Sequence, residues 1–445
     1  MNFPVIEFPW LGNGTVIAII ATVHVLVSHG VAIGATALTV SLEYRAYKTG
    51  NKKLDGVARM LAKWILIVTT TVGAMTGVGI WFSTMVIQPA SIGSLLRIFF
   101  WAWFTEWIVF CLEVLFLLLY FYTWDKLKDA KKYLHLRIGV ALAIFSWVTM
   151  AIITGVLAAK LTPGLWQETL SFWNAFFNPT YLPSLLFRTP IAIVLAVSFI
   201  ALIVKFRIKD KELQGEIFSV FGKWMAVSLP AILLFGGWYL SRIPEQAYDQ
   251  VVWSTGMAPK MFTVINLTGL AVLVIFVIWL IIKPKKIPLV LAIAVWTACL
   301  GYIAEFEMVR ESVRKPYIIY NYMYANGILA SDLERFQKEG FLPHMSMLGV
   351  TEVTEENKYE AGRAIYQGQC MSCHTIDGWR SKRAFKERVE GWTEEVLDSY
   401  IAVMHESRPF MPPFAGTDEE RKALAHYIIT SVNEASGTNV AKGEE

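Results

Sequence analysis

The chain has 445 residues, of which 55% are apolar and only 17% charged, with 17 Trp and a mean hydropathy of +0.47. That balance excludes an ordinary soluble domain, and apolar runs of about 20 residues, the length that crosses a bilayer, recur along it. A formal net charge of +4, with no phosphate-cradling loop, hydrolase motif or internal repeat, gives no sign of a nucleic-acid partner.

Eight spans are predicted, at 15–42, 62–86, 98–122, 136–159, 184–205, 221–241, 262–282 and 287–307. Met1 to Gly12 carries Glu7 and no Lys or Arg, so it does not read as a cleavable signal peptide, and the first apolar segment is expected to stay in the membrane. An ionisable group inside a span costs several kcal/mol unless it is paired, hydrated or metal-bound, so each one is a functional candidate (~2.5–3.5 kcal/mol on insertion scales). The first span carries His24 and His29, which lie about 140° apart around a helix, too far for one haem iron to take both. Gly30, Ala32, Gly34 and Ala35 follow, small residues that leave room for a flat macrocycle. Each histidine is a candidate iron ligand, His24 ahead of His29, or else a hydrogen-bonding partner of a neighbouring helix. The third span carries Glu106 and Glu113, seven positions apart and therefore on one face about 10 Å apart along the axis. They read as a proton route, a weak iron ligand or a structural carboxylate pair. The eighth span ends in Glu305, Glu307, Arg310, Glu311 and Arg314, where either arginine suits a haem propionate.

Beyond the spans, Tyr317 to Leu348 reads as an aromatic-rich interfacial segment followed by a polar helix, Ala330 to Glu339. Then comes Cys370-Met371-Ser372-Cys373-His374. Two thiols at this spacing form thioethers to one haem, and the adjacent histidine falls under the iron. A structural zinc site would need further ligands, but only Cys111 and Cys299 remain, both in apolar segments. Met411, on the proline-stiffened run Pro409 to Phe414, is the expected second iron ligand, with Met404 and His405 as rivals in or beside a helical stretch. Gly362, Tyr366 and Tyr427 flank the motif as the crossing helices of a class I cytochrome c domain do, so residues 351–437 resemble that family. Ligation by His and Met favours a high potential and single-electron relay.

Lys and Arg in the connections give the orientation. The first, third, fifth and seventh loops hold 19 and the alternate loops five, which puts the former in the cytoplasm and the N-terminus outside. Eight crossings return the chain to the outer side, where c-type haem is attached. From Thr351 onward 11 basic face 17 acidic residues, leaving a net of +10 for the membrane part. An acidic carrier of this kind suits a basic docking face on a redox partner, or is simply a solvated surface.

Within the membrane part, Gly73, Thr76, Gly77 and Gly79 resemble the second helix of cytochrome bd quinol oxidase subunit I. Glu113-Val-Leu-Phe with Trp124-Asp125-Lys126-Leu127, Phe177-Asn178-Pro179, and Glu311-Ser-Val-Arg314-Lys-Pro316-Tyr317 are similar to further marks of that family, in its order. The resemblance implies His24 as a first-helix haem ligand, provided one residue is inserted before Gly34. It implies Glu113 as the second carboxylate of the third helix; the first falls on Thr105, beside Glu106. It implies Glu311 as ligand of a high-spin b haem, with Arg314 following. The family's low-spin haem ligands are missing: Phe187-Arg188-Thr189 and Val264-Ile265-Asn266 stand at their places. Its long quinol-binding loop is missing too.

The expected architecture is all-α: a transmembrane bundle over 1–316, an interfacial linker over 317–350, a cytochrome c domain over 351–437 and a disordered tail over 438–445. The expected function is respiratory electron transfer in a bacterial inner membrane, with the N-terminus and the cytochrome domain on the periplasmic side. One covalent haem c would exchange electrons with one or more b- or d-type haems. Expected partners are the quinone pool or a membrane redox complex, a periplasmic electron carrier, a possible second membrane subunit, and lipid. A working terminal oxidase and a haem-free anchor for the cytochrome are the alternatives.

Overall fold

The structure, a computed structural model, describes residues 5–128, 131–247, 259–345 and 348–437, with 259–262 as backbone alone. Among these, eight helices are long and apolar enough to cross a membrane: Asn13–Thr49, Lys52–Ile87, Phe100–Tyr122, Lys132–Ala159, Tyr181–Arg207, Lys211–Leu240, Thr263–Ile282 and Leu289–Ser312. The number matches the expectation, but several helices run on past the predicted ends. A hydropathy reading stops at the first charges, whereas backbone hydrogen bonding continues through them. Between the first two, Gly50 takes a left-handed φ of 67° and Asn51 accepts the Leu54 N–H at 3.2 Å, a glycine C-cap directly abutting an asparagine N-cap.

The first helix is not uniform. Leu26–Ala35 is π-helical, as is Thr69–Gly73 in the second, and the two stretches pack against each other. Each π turn accommodates extra backbone within a continuous helix. In the second helix the Thr69, Thr70 and Thr71 hydroxyls bond back to the carbonyls of Ile65, Leu66 and Ile67 at 2.6–2.7 Å.

Span five is the axis of the bundle: Ala192, Ala196, Val197, Ala201 and Val204 are all fully buried, closed in by Leu38, Leu42, Ile217, Phe218 and Phe221. Small side chains on one face let its neighbours approach closely. At Gly34 a Cβ would lie 2.7 Å from Ala196 Cβ, so only glycine permits spans one and five to meet there. Met75, Phe82, Trp101, Trp107, Val227 and Val290 point outward, as apolar side chains facing lipid do.

After the eighth span a two-stranded hairpin forms, β1 (Tyr317–Ile319) antiparallel to β2 (Met323–Tyr324). It is the only sheet among the described residues of an otherwise α-helical fold. Ile319 and Met323 are buried with Leu95, Phe99 and Trp166 of the membrane part. From Ile328 the chain joins a second core, in which Phe336, Phe341 and Leu342 pack with Ile365, Tyr366, Leu424 and Ile428. That domain is built from helices Lys358–Gln369, Phe385–Arg388, Glu394–Ser407 and Asp418–Ala435. Gly362 sits where a Cβ would be 2.7 Å from Tyr427 Cβ, and the Tyr366 and Tyr427 rings lie 5.4 Å apart, the helix crossing expected from the sequence.

Glu420 fastens this domain. As N3 of a capping box it accepts the Thr417 N–H at 3.0 Å, and its buried carboxylate also takes the N–H groups of Phe341 at 2.8 Å and Leu342 at 2.8 Å. One side chain thereby caps a helix and ties the segment before the cytochrome helices to the last of them.

Candidate functional site

The C-x-x-C-H motif begins at the end of helix Lys358–Gln369. His374 Nδ1 donates to the Arg383 carbonyl at 3.1 Å, which fixes the tautomer and leaves the Nε2 lone pair free. A ring held through one nitrogen with the other open is the arrangement an iron ligand requires. Burial, with Arg383 and Arg388 near, pushes the imidazole pKa down to about 3, so it stays neutral and able to coordinate. The two thiols differ. Burial, reinforced by Cys373, pushes Cys370 up to about 12. Burial also works against a Cys373 thiolate, but Lys315 and Arg383 outweigh it and hold that thiol below its ordinary value.

Met411 lies on the turn after helix Glu394–Ser407. His405 Nδ1 donates to its carbonyl at 2.6 Å and the Met411 N–H donates to Arg408 O at 2.8 Å. His405, a rival ligand by sequence, thus spends a ring nitrogen on shaping the Met411 loop, and Met404 packs against the domain core. Gln369, the residue before Cys370, reaches across with both ends of its amide: Nε2 donates to Ala415 O at 2.6 Å and Oε1 accepts from Ala415 N at 3.1 Å. The one mark of Gln369 in the sequence is its place directly before the motif. These features fit a covalent c-type haem.

In the membrane part His24 Nδ1 meets Thr76 Oγ1 at 3.1 Å. That hydroxyl donates to Val72 O at 2.6 Å, so it accepts from the imidazole and again leaves Nε2 free. Gly77 lies against the same ring, with a Cβ position 3.3 Å from His24 Cε1. His29 is buried on the π-helical stretch with Nδ1 3.1 Å from Ser28 Oγ. Glu113 accepts from Ser146 Oγ at 2.8 Å and Thr149 Oγ1 at 3.2 Å, both on span four, while Glu106 is half-buried two turns away. Arg310 pairs with Glu307 and Arg314 with Glu311, yet the Nε atoms of both arginines are buried without a hydrogen-bond partner among the described residues. Two orphaned guanidinium donors at one end of the bundle fit an anionic group such as a haem propionate.

A further constellation went unnoticed in the sequence because its members flank the predicted span ends. Glu43 and His135 are fully buried, with His135 Nδ1 2.5 Å from Glu43 Oε1 and His135 Nε2 2.8 Å from Tyr120 O. Tyr120 OH donates to Glu43 Oε2 at 2.6 Å, and Lys132 Nζ lies 2.7 Å from both Glu43 and Asp55. Trp124 Nε1 closes the group on Asp55 at 3.1 Å, its ring 4.3 Å beneath the Lys132 ammonium. This cluster bolts spans one to four together at the end of the bundle that carries the basic loops.

The cytochrome motif occupies the opposite end. Trp379 donates from N to Trp10 O at 3.1 Å and from Nε1 to Leu11 O at 3.0 Å, just before the first span. The strap before it is itself tied down, with Ile6 N–H on Val86 O at 3.0 Å and Val5 packed on the cytochrome core. Next to the last span, Lys315 Nζ lies 2.9 Å from Glu311 Oε1 and 4.0 Å from Cys373 Sγ.

Comparison with known proteins agrees with this anatomy. The family described as cytochrome C oxidase, cbb3-type, subunit III matches residues 357–428. The family described as cytochrome bd terminal oxidase subunit I matches residues 15–248, more than half of the chain. No curated protein matches. Among solved structures, that of bd oxidase from Geobacillus thermodenitrificans superposes with a TM-score of 0.56 at 16% identity, covering 73% of this chain and 94% of that one, a likeness of fold. With a haem-binding cytochrome c domain joined to its multi-pass membrane part, this chain belongs to the cytochrome bd terminal oxidase subunit I family.

Proposed function

We propose that this protein carries out its respiratory electron transfer by passing single electrons between a covalent haem c in the C-terminal domain and a b- or d-type haem in the bundle. Cys370 and Cys373 would hold the haem c covalently, with His374 and Met411 as its iron ligands. His24 and Glu311 would hold membrane haem iron, His29 being the weaker candidate, and Arg310 and Arg314 would bind propionates. Haem supplies reversible one-electron chemistry; the chain supplies tautomer, charge and distance. The single observation that carries this reading is the seating of the haem motif, through Trp379 and Lys315, on the end of the bundle that holds Glu311.

The basic loops lie at the other end, which supports a cytoplasmic position for them and a periplasmic one for the cytochrome domain in a bacterial inner membrane. On that side a soluble carrier reaches the domain, while the quinone pool or a membrane redox complex, and a second membrane subunit, would meet the bundle. Pyridine haemochrome analysis of the purified protein tests the reading. It should show c-type and non-covalent haem together; c-type haem alone would reduce the bundle to an anchor.

Glu113, held by Ser146 and Thr149 with Glu106 two turns along the same face, favours a second reading, a terminal oxidase reducing dioxygen. Such chemistry consumes protons, and a hydroxyl-lined carboxylate pair is a means of supplying them. Oxygen uptake with a reduced c-type donor, abolished by Glu113→Gln, is its expected signature.

A further inference from the structure

We infer that Lys315 is the positioning residue that seats the Cys373-bearing edge of the c-type haem against the Glu311 site, making a fixed internal electron junction. The inference rests on the reading of Cys373 and Glu311 given above. Lys315 follows the last membrane helix closely, its N–H on Ser312 O at 3.1 Å, so its backbone belongs to the bundle. Its side chain is 12% exposed, with the ammonium 2.9 Å from Glu311 Oε1 and 4.0 Å from Cys373 Sγ. One side chain therefore touches an attachment point of one cofactor and the carboxylate proposed for the other.

Independent contacts hold the same edge in place. A Cβ at Gly14, at the start of the first span, would lie 3.3 Å from the Ser372 carbonyl oxygen, and one at Gly12, with φ of 80°, would lie 3.3 Å from Thr375 Cγ2. Trp379 anchors the following turn on Trp10 and Leu11. Residues 372–379 are thus pressed between the start of span one and the end of span eight. The chain connecting the two parts is packed at both ends, in the Leu95–Phe99 cluster and in the cytochrome core. This is the geometry of a docked domain, in which the Cys373 edge meets the bundle and a swinging carrier is not needed.

A fixed ammonium beside that edge favours the state with one less positive charge, the reduced one, and raises the potential of the c-type haem. With both haems bound, the junction would carry one electron at a time in either direction, the iron held by His374 losing or gaining the electron that the iron in the bundle gains or loses. No bond forms or breaks at Lys315 and its proton stays in place.

The test uses the intact, detergent-purified protein with Lys315→Met and Lys315→Arg. Potentiometric titration of the c-type absorption band should show a downward shift in Met and recovery of most of it in Arg. Flash reduction of the c-type haem should show slower oxidation by the membrane haem in Met and near-normal transfer in Arg. An unchanged potential and rate in Met, or equal losses in Met and Arg, would overturn the junction while leaving the broader reading standing. A wild-type preparation lacking either kind of haem sinks that reading, and the junction with it.

Discussion

The cytochrome domain and the membrane bundle hold their candidate sites in opposite ways. In the former, Cys370, Cys373 and His374 lie within five residues, Gln369 is joined to Ala415 by an amide pair, and His405 holds the Met411 loop by an imidazole–carbonyl bond. In the bundle His24, Glu113 and Glu311 stand on spans one, three and eight, and each is oriented by a different partner: Thr76, Ser146 with Thr149, and Lys315. A local motif keeps its chemistry wherever the chain goes. A dispersed site exists only if the helices pack as they do.

The strongest test of that contrast is His374→Ala. It should abolish the normal c-type spectrum while the non-covalent haem signal persists in reduced-minus-oxidised spectra; loss of both would mean that the two sites are not separable. Glu43→Ala addresses the bundle. It takes the acceptor from the buried Tyr120 hydroxyl and from His135 Nδ1 and leaves Lys132 with Asp55 alone, and should cost about 1–3 kcal/mol for each orphaned donor, read as a lower unfolding temperature in detergent. Because the cluster joins spans one to four, signal from the membrane haem should fall while the c-type band remains.

Glu420→Ala is the converse, removing acceptors from buried N–H groups of Phe341 and Leu342 at about 1–3 kcal/mol each. Thermal loss of the c-type band should move to lower temperature with the membrane haem unaffected. His405→Ala is expected to be the mildest, about 1 kcal/mol for a hydrogen bond on the Met411 loop, and is read as a loosened methionine ligand and a lower c-haem potential.

Particular residues show what was legible. The eight spans and the helices around Gly362 and Tyr427 were readable because burial against lipid, or against another helix, imposes a pattern on residue types. Glu43 and His135 were not, since a hydropathy boundary falls at the first ionisable group and places both outside the membrane; only packing shows them paired and buried. The first helix is π-helical over Leu26–Ala35, a stretch that includes the close contact at Gly34. No local propensity announces such a turn, because it is stabilised by what it packs against.

The C-x-x-C-H spacing at Cys370 to His374, the eight apolar helices and the charge asymmetry between loops were readable from the chain alone, each set by local composition or spacing. The tertiary structure alone decided which imidazole nitrogens stay free, which buried charges find partners, and that Lys315 stands between Cys373 and Glu311. Those depend on contacts between residues dozens to hundreds of positions apart, whose geometry is fixed only when the helices close on one another.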